Sequence, residues 1–396
     1  MGNMSSRLIA MLIVLGAPIP ALAQRYAVTD LGAFVSPHTP GSVPSRTEFT
    51  SLAINNVGQV VGHNRDGTFI WDAERGQRDL SSLGWPGGSV VDINDSGQVV
   101  GAFATGETVS VDFGSFVSDM PIRHAYVWDE QNGLRDIGVR GESWTSSAVD
   151  INNSGTVVGT DIWFPAPPMW PSHYFNFRYE STTGMTVRSA GGISVTSGIN
   201  DRGWTFGTRL PEAGGTSGWL STSDEYFSIG TLGGNSTAAS DLNENGGVVG
   251  RSMTGQRDPI TGFPEWDAFV WTPESEIAAL PGLIDGRSSA NAINDLDQIV
   301  GRSWISTDTI HAVLWEDGQV RDLNELVVDL TEWDFLATAW GINNGGQIIG
   351  IGVIDGQFHN FVLTPVPEPS SLLLGVTAWL LISFSRRRRY HRSEAT

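Results

Sequence analysis

Histidines and acidic residues are the side chains here that could do acid–base chemistry, and their spacing argues against it. His124, His311 and His359 fall at one position of an internal repeat. Equivalent positions of a repeat are held apart by the repeat itself, so these three are poor partners for a shared metal or a proton relay. They read as strand or turn anchors. His38, His63 and His173 show no zinc-ligand spacing. Asp92-x-Asn94-x-Ser96-Gly97 resembles the opening of a calcium loop, but the later acidic ligand is missing and four of the other copies carry Ala or Gly in place of the leading Asp. A hairpin turn accounts for every copy, so no metal and no cofactor is expected. There is no Gly-x-Ser-x-Gly elbow and no His-Glu-x-x-His. Cysteine is absent, which removes thiolate chemistry and leaves stability to packing and strand pairing. An acid pair for glycoside hydrolysis has 43 Asp and Glu to draw on, yet many fall at repeated turn positions such as Asp79, Asp136 and Asp322. No catalytic residue is assigned.

Aromatic residues in the departures from the repeat carry the binding expectation. Trp163, Phe164 and Trp170 lie in a Pro-rich insertion, and Trp266 closes another. Exposed indoles there can stack on sugar rings. The competing reading is that such loops fold their aromatics down over the domain.

The elements that must position these residues repeat. The core pattern is small-[IL]-N-[NDE]-x-[GD]-x-[VIT]-[VIF]-G, and its seven copies centre on Asn55, Asn94, Asn152, Asn200, Asn243, Asn294 and Asn343. The separations are 39, 58, 48, 43, 51 and 49 residues, a period that points to a propeller or solenoid. Each unit offers four strand-like pieces. A small-residue strand precedes the Asn, a Gln-Val-Val-Gly-like strand follows it, then an aromatic alternation such as His124-Ala125-Tyr126-Val127-Trp128, then an Arg-Asp-Leu-like strand such as Arg321-Asp322-Leu323. Asn-x-x-Gly between the first two is turn chemistry, with Gly in the left-handed region and Asn bonding back to its own backbone. Asp297 replaces that Gly in copy six, a tolerable change because Asp also visits the region.

Strand counting selects between ring and rod. The seventh unit lacks a fourth strand, and an unassigned one, Tyr26 to Gly32, stands before the first core. An orphan at one end and a vacancy at the other predict closure, whereas a solenoid needs capping units. The expected fold is therefore an all-β, seven-bladed β-propeller over 24–365, closed by its N-terminal strand and complete at Leu363. Insertions Phe103 to Arg123, Asp161 to Pro171 and Ser252 to Trp266 all lie between second and third strands and so collect as loops on one face.

The two ends read as addresses. Residues 1–23 have Arg7, an apolar stretch from Leu8 to Gly16, and a small-x-small site at Ala21 and Ala23, which predicts a cleaved secretory signal. At the other end, Val366-Pro367-Glu368-Pro369 precedes an apolar run and the block Arg386, Arg387, Arg388, Arg389. As a helix, 371–385 would reach about 22 Å against an apolar bilayer core of about 30 Å. It spans with thinning or arginine snorkelling, and the basic block stays cytoplasmic.

This tail resembles the PEP-CTERM sorting domain of exported Gram-negative proteins. The resemblance implies an inner-membrane intermediate and processing by signal peptidase and an exosortase, a transpeptidase-like membrane enzyme. Release or transfer to the cell surface or extracellular matrix would follow. The repeats resemble the HAF-repeat extracellular proteins, with the signature as His124-Ala125-Tyr126 and His311-Ala312-Val313 and a degenerate His359-Asn360-Phe361. That resemblance spans about 340 residues and implies fold and export rather than an activity.

Charge narrows the partners. The chain carries −20 overall, and residues 24–365 hold 17 basic residues, all Arg, against 41 acidic. Such a body repels phosphate backbones, so nucleic acid is not an expected partner. The expected function is a non-enzymatic surface or matrix protein binding exopolysaccharide through one propeller face. The alternative is a secreted carbohydrate-active enzyme with acidic catalytic residues on the insertion face.

Overall fold

The computed structural model describes residues 24–33, 52–112, 116–141, 143, 145–163, 173–188, 193–210, 214–257, 262–284, 287–306 and 309–367. Residues Tyr26–Val366 form one compact unit. The signal segment, the apolar run 371–385 expected to be a C-terminal helix, and the arginine block lie outside the described residues. Among the described residues no helix is long and apolar enough to cross a membrane.

Strands pair almost entirely with their sequence neighbours. Five four-stranded sheets and one eight-stranded sheet result, with every sequential pair antiparallel. Repeat 5 is representative: Thr237–Leu242, Val248–Arg257, Pro264–Trp271 and Ala278–Ala279 lie side by side in chain order. The eight-stranded sheet is the meanders of repeats 2 and 3 joined by a single parallel pairing of Thr145 with Arg123. Meanders of this kind, set around a common group of asparagines, make an all-β, propeller-type architecture.

The N-terminal strand goes where the vacancy was. Arg25–Ala33 pairs with Gln357–Val366, giving the order Arg25–Ala33, Gln357–Val366, Ile348–Ile354, Phe335–Ile342. Tyr26 and Leu31 are buried, and Leu31 packs with Val60, Phe69, Trp71, Ile349 and Val362. Asn64 Nδ2 donates to the Leu31 carbonyl at 2.8 Å. One boundary shifts from the expectation. The closing strand runs on to Val366 rather than ending at Leu363, so the first residue of the tail motif belongs to the sheet.

Two of the three expected insertion loops are strand. Val99–Asp112 and Val117–Asp129 form one long hairpin, with Thr108 opposite Pro121 and Asp112 opposite Val117. The run Thr108-Val109-Ser110-Val111-Asp112 alternates polar and β-branched residues, so it keeps pairing instead of looping. In repeat 5, Val248–Arg257 and Pro264–Trp271 do the same.

The glycine that ends each repeat core has a steric reason. In six repeats the first strand carries a bulge just before the Ile/Leu-Asn pair, as between Ala290 and Ala292. A Cβ on Gly301 would sit 2.0 Å from the Ser289 carbonyl oxygen, and one on Gly250 2.1 Å from that of Ala238. The same glycine seats the aromatic ring of the third strand, since Phe269 and Phe361 lie over Gly250 and Gly350. Aromatic-on-glycine contacts then feed cores shared by neighbouring repeats. One such core joins Val61 and Ile70 of repeat 1 to Val99, Tyr126 and Trp128 of repeat 2.

Candidate functional site

Two regions could carry function: the funnel where the Asn turns converge, and the opposite face, where the extended hairpins project. In an antiparallel meander the first-to-second and third-to-fourth connections share one end, and the second-to-third connections occupy the other.

The funnel is built from two nested rings of hydrogen bonds. In the inner ring each anchoring Asn donates Nδ2 to the main-chain carbonyl of the next one. The bonds are Asn55 to Asn94 at 2.9 Å, Asn94 to Asn152 at 3.1 Å, Asn152 to Asn200 at 3.0 Å, and Asn200 to Asn243 at 3.2 Å. Asn243 to Asn294 at 3.0 Å, Asn294 to Asn343 at 3.1 Å, and Asn343 back to Asn55 at 3.0 Å complete it. In the outer ring the following residue donates its main-chain N–H to the side-chain oxygen of its counterpart. It runs through Asn56, Asp95, Asn153, Asp201, Glu244, Asp295 and Asn344 and returns to Asn56 at 2.9 Å. These residues line a cavity of about 200 Å³.

Each anchoring Asn also closes its own turn. Asn94 Oδ1 accepts from the N–H groups of Ser96 and Gln98 at 3.1 and 3.0 Å. The turn glycines have positive φ, and Asp297 takes φ 59° in their place. Its carboxylate meanwhile accepts from Asn243 Nδ2 at 2.8 Å.

Deeper in the funnel lie three carboxylates. Asp92 Oδ2 accepts from the Ile151 N–H at 3.1 Å, Asp150 Oδ2 from Ile199 at 2.7 Å, and Asp241 Oδ2 from Ile293 at 2.8 Å. Burial, and after it the charge of Asp92, pushes the Asp150 carboxyl well above the usual carboxylate range. Burial also raises Glu244, with the charges of Asp201 and Asp295 adding to it. The oxygens of the calcium-like loop are thus engaged by main-chain donors. Among the described residues no group of three His, Asp or Glu side chains is placed to hold a metal ion.

The three repeat histidines each bond an Asp of the neighbouring fourth strand through Nδ1. His124 meets Asp136 at 2.9 Å, His311 meets Asp322 at 2.6 Å, and His359 meets Asp30 at 3.0 Å. Burial alone would raise the Asp322 carboxyl, but hydrogen bonds from His311 and Asn324 hold it below its ordinary value. These are strand-to-strand ties, and the His359 pair fastens the N-terminal strand to its sheet.

On the opposite face, Trp163 ends the strand Val157–Trp163, while its side chain, Phe164 and Trp170 lie outside the described residues. Trp266 is half-buried in its strand opposite Met253, with the Arg251 guanidinium 4.9 Å from its ring centre. The face also presents residues that motif reading passed over. Arg302 and Arg287 lie 5.3 and 5.5 Å from the ring of Trp304. The available signal was the paired Gly250-Arg251-Ser252 and Gly301-Arg302-Ser303, the only two repeats with a cation after the core glycine. At the C-terminal end of the domain, Val366 closes the last strand and Pro367 follows it; Glu368, Pro369 and the arginine block are outside the described residues, as are Ala21 and Ala23.

No family model matches this sequence, and no curated protein matches it. Among solved structures, the β-propeller domain of the Trilobed protease from Pyrococcus furiosus aligns with a TM-score of 0.43 and 8% identity. That alignment covers 80% of this chain and 93% of that one. A chain of the mitotic checkpoint complex aligns with a TM-score of 0.41 and 11% identity, covering 92% of this chain and all of that one.

Proposed function

We propose that residues 24–366 are a seven-bladed β-propeller exported to the cell surface or matrix, where it serves as a non-enzymatic binding protein for exopolysaccharide. The observation that carries the reading is how the repeat spends its polar residues. The anchoring asparagines, the residues after them and the funnel carboxylates accept from or donate to a neighbouring repeat, and seven such links form a closed circuit. They hold blades together, and the acids engaged in this way are poor candidates for proton transfer. Among the described residues, the opposite face keeps indoles and guanidinium groups without carboxylate partners, which suits recognition. A glycan array on the secreted protein, run beside a hydrolysis screen, tests this. Retention of a polysaccharide without turnover is expected. Turnover would replace the reading with that of a carbohydrate-active enzyme.

The addressing segments complete the proposal. A secretory signal ending at Ala23 and a PEP-CTERM tail from Val366 would deliver the domain through the inner membrane to an exosortase. Because Val366 is the last strand residue, cleavage beyond it leaves the sheet intact. Intact-mass measurement of the mature protein should find a C-terminus upstream of 371. A mature chain retaining Arg386 to Arg389 would make the tail a plain anchor instead.

A further inference from the structure

Among the described residues, three arginines of repeats 5 and 6 have no ion-pair partner, in a protein of net charge −20. Arg251 and Arg302 occupy one repeat position, directly after the core glycine, where the other five repeats carry His63, Ala102, Thr160, Thr208 and Ile351. Arg287 precedes the first strand of repeat 6. Among the described residues none of the three forms an ion pair, and their guanidinium groups make no hydrogen bonds; Arg302 Nε is buried without a partner. Burial, and then the charge of Arg251, pushes the Arg302 guanidinium down to about 10, so it stays cationic at neutral pH. On the adjoining strand, Glu265 and Asp267 alternate with Trp266 and so belong to the other side of the sheet, while Asp285, two residues before Arg287, lies outside the described residues.

A buried, unpaired cation is costly unless something meets it. Here the guanidinium carbons lie over the rings of Trp266 and Trp304, 4.9 to 5.5 Å from their centres. A cation–π contact uses the ring face and leaves the guanidinium N–H groups without hydrogen-bond acceptors. Those groups match a carboxylate in bidentate geometry. The flanking indoles supply apolar surface of the kind that packs against pyranose C–H groups. The strongly acidic body disfavours densely charged polyanions and leaves room for sugars bearing isolated carboxylates.

We propose that Arg251, Arg287 and Arg302, seated on Trp266 and Trp304, form a binding site for a carboxylated saccharide of the uronate class. This rests on the polysaccharide-binding reading above and narrows it.

The test is isothermal titration of the full secreted protein with tri-galacturonate and with its methyl ester, at low and moderate salt. The acid should bind, and the ester about tenfold more weakly or not at all. Affinity for the acid should fall as salt rises. Arg251→Gln, at an exposed position, should weaken the acid about tenfold with an unchanged melting temperature, and Arg302→Gln should do the same if it folds. Equal binding of acid and ester would overturn this site while leaving polysaccharide binding standing. Binding of inorganic sulfate or phosphate with no binding of the trisaccharide would also overturn it. Loss of all glycan binding on a broad array would sink the parent reading as well.

Discussion

The side-chain amide of Asn343 donates to the main-chain carbonyl of Asn55 across 3.0 Å, although 288 residues separate them. That bond is the last of a circuit in which each anchoring Asn serves two turns. Its Oδ1 closes its own hairpin, and its Nδ2 ties down the next repeat. A residue that satisfies a local turn and a long-range contact at once resists replacement by any side chain that does only one.

Substitution of Asn200 by Asp separates the two roles. Asp keeps the oxygen that accepts from the Trp204 N–H at 3.0 Å but loses the donor to Asn243. A carboxylate would then face a carbonyl oxygen in a buried position, so the loss should be about 1–3 kcal/mol at neutral pH. The folded state raises that acid's pKa above its unfolded value, so the deficit relative to wild type should shrink as pH falls toward 4. Urea midpoints of both proteins at the two pH values check this; a pH-independent deficit would contradict it.

Closure by the N-terminal strand is a matter of packing more than of its ion pair. Leu31 is 2% exposed, and Leu31→Ala should cost about 2–5 kcal/mol. Asp30, paired with His359, has a side chain 42% exposed, and Asp30→Ala should cost under about 1 kcal/mol. Deleting 24–33 should unfold or severely destabilise the domain. A deletion variant that melts with the parent would disprove ring closure.

The four-strand unit and the displaced N-terminal strand were both legible, because each follows from a local pattern read along the chain. The turn chemistry was half legible. Asn-x-x-Gly predicts the Asn94 Oδ1 contacts to Ser96 and Gln98, since those partners lie within four residues. The Nδ2 bonds are invisible at that range because their partners are 39 to 58 residues away or, for Asn343, at the far end of the domain. The extended hairpins were missed because strand pairing was read only inside the repeat, and Val99–Asp112 carries its alternation past it. Arg251 and Arg302 were missed because a lone Arg has no motif. What marks them is that no described carboxylate pairs with them, a three-dimensional fact.

Gly301 tests the steric account of the repeat. A methyl group there would meet the Ser289 carbonyl oxygen at 2.0 Å, and the bulge that brings the carbonyl in is fixed by the pairing of Ala292 with Val300. Backbone, unlike a side chain, cannot rotate aside. Gly301→Ala should therefore cost about 1–3 kcal/mol or more, despite being the smallest possible substitution. Thermal unfolding measures it, and a midpoint within a degree of wild type would refute the clash.

Asp150 sets a pH dependence opposite in sign to that of a salt-bridged acid. Its carboxyl is raised by burial and by Asp92, and the Ile151 N–H is shared between Asp150 Oδ1 at 2.7 Å and Asp92 Oδ2 at 3.1 Å. A raised pKa means the folded state binds the proton more tightly than the unfolded chain. The stability this confers is complete below the unfolded pKa of about 3.9 and is lost as pH climbs through the folded value. Asp150→Asn fixes the neutral form, keeps an acceptor for the Ile199 N–H, and leaves the Ile151 N–H to Asp92. The variant should therefore be more stable than wild type at pH 7.5, with the gap closing by pH 4.5. Denaturant titrations at both values decide it: parallel midpoints would mean that Asp150 already ionises at ordinary cost inside the funnel.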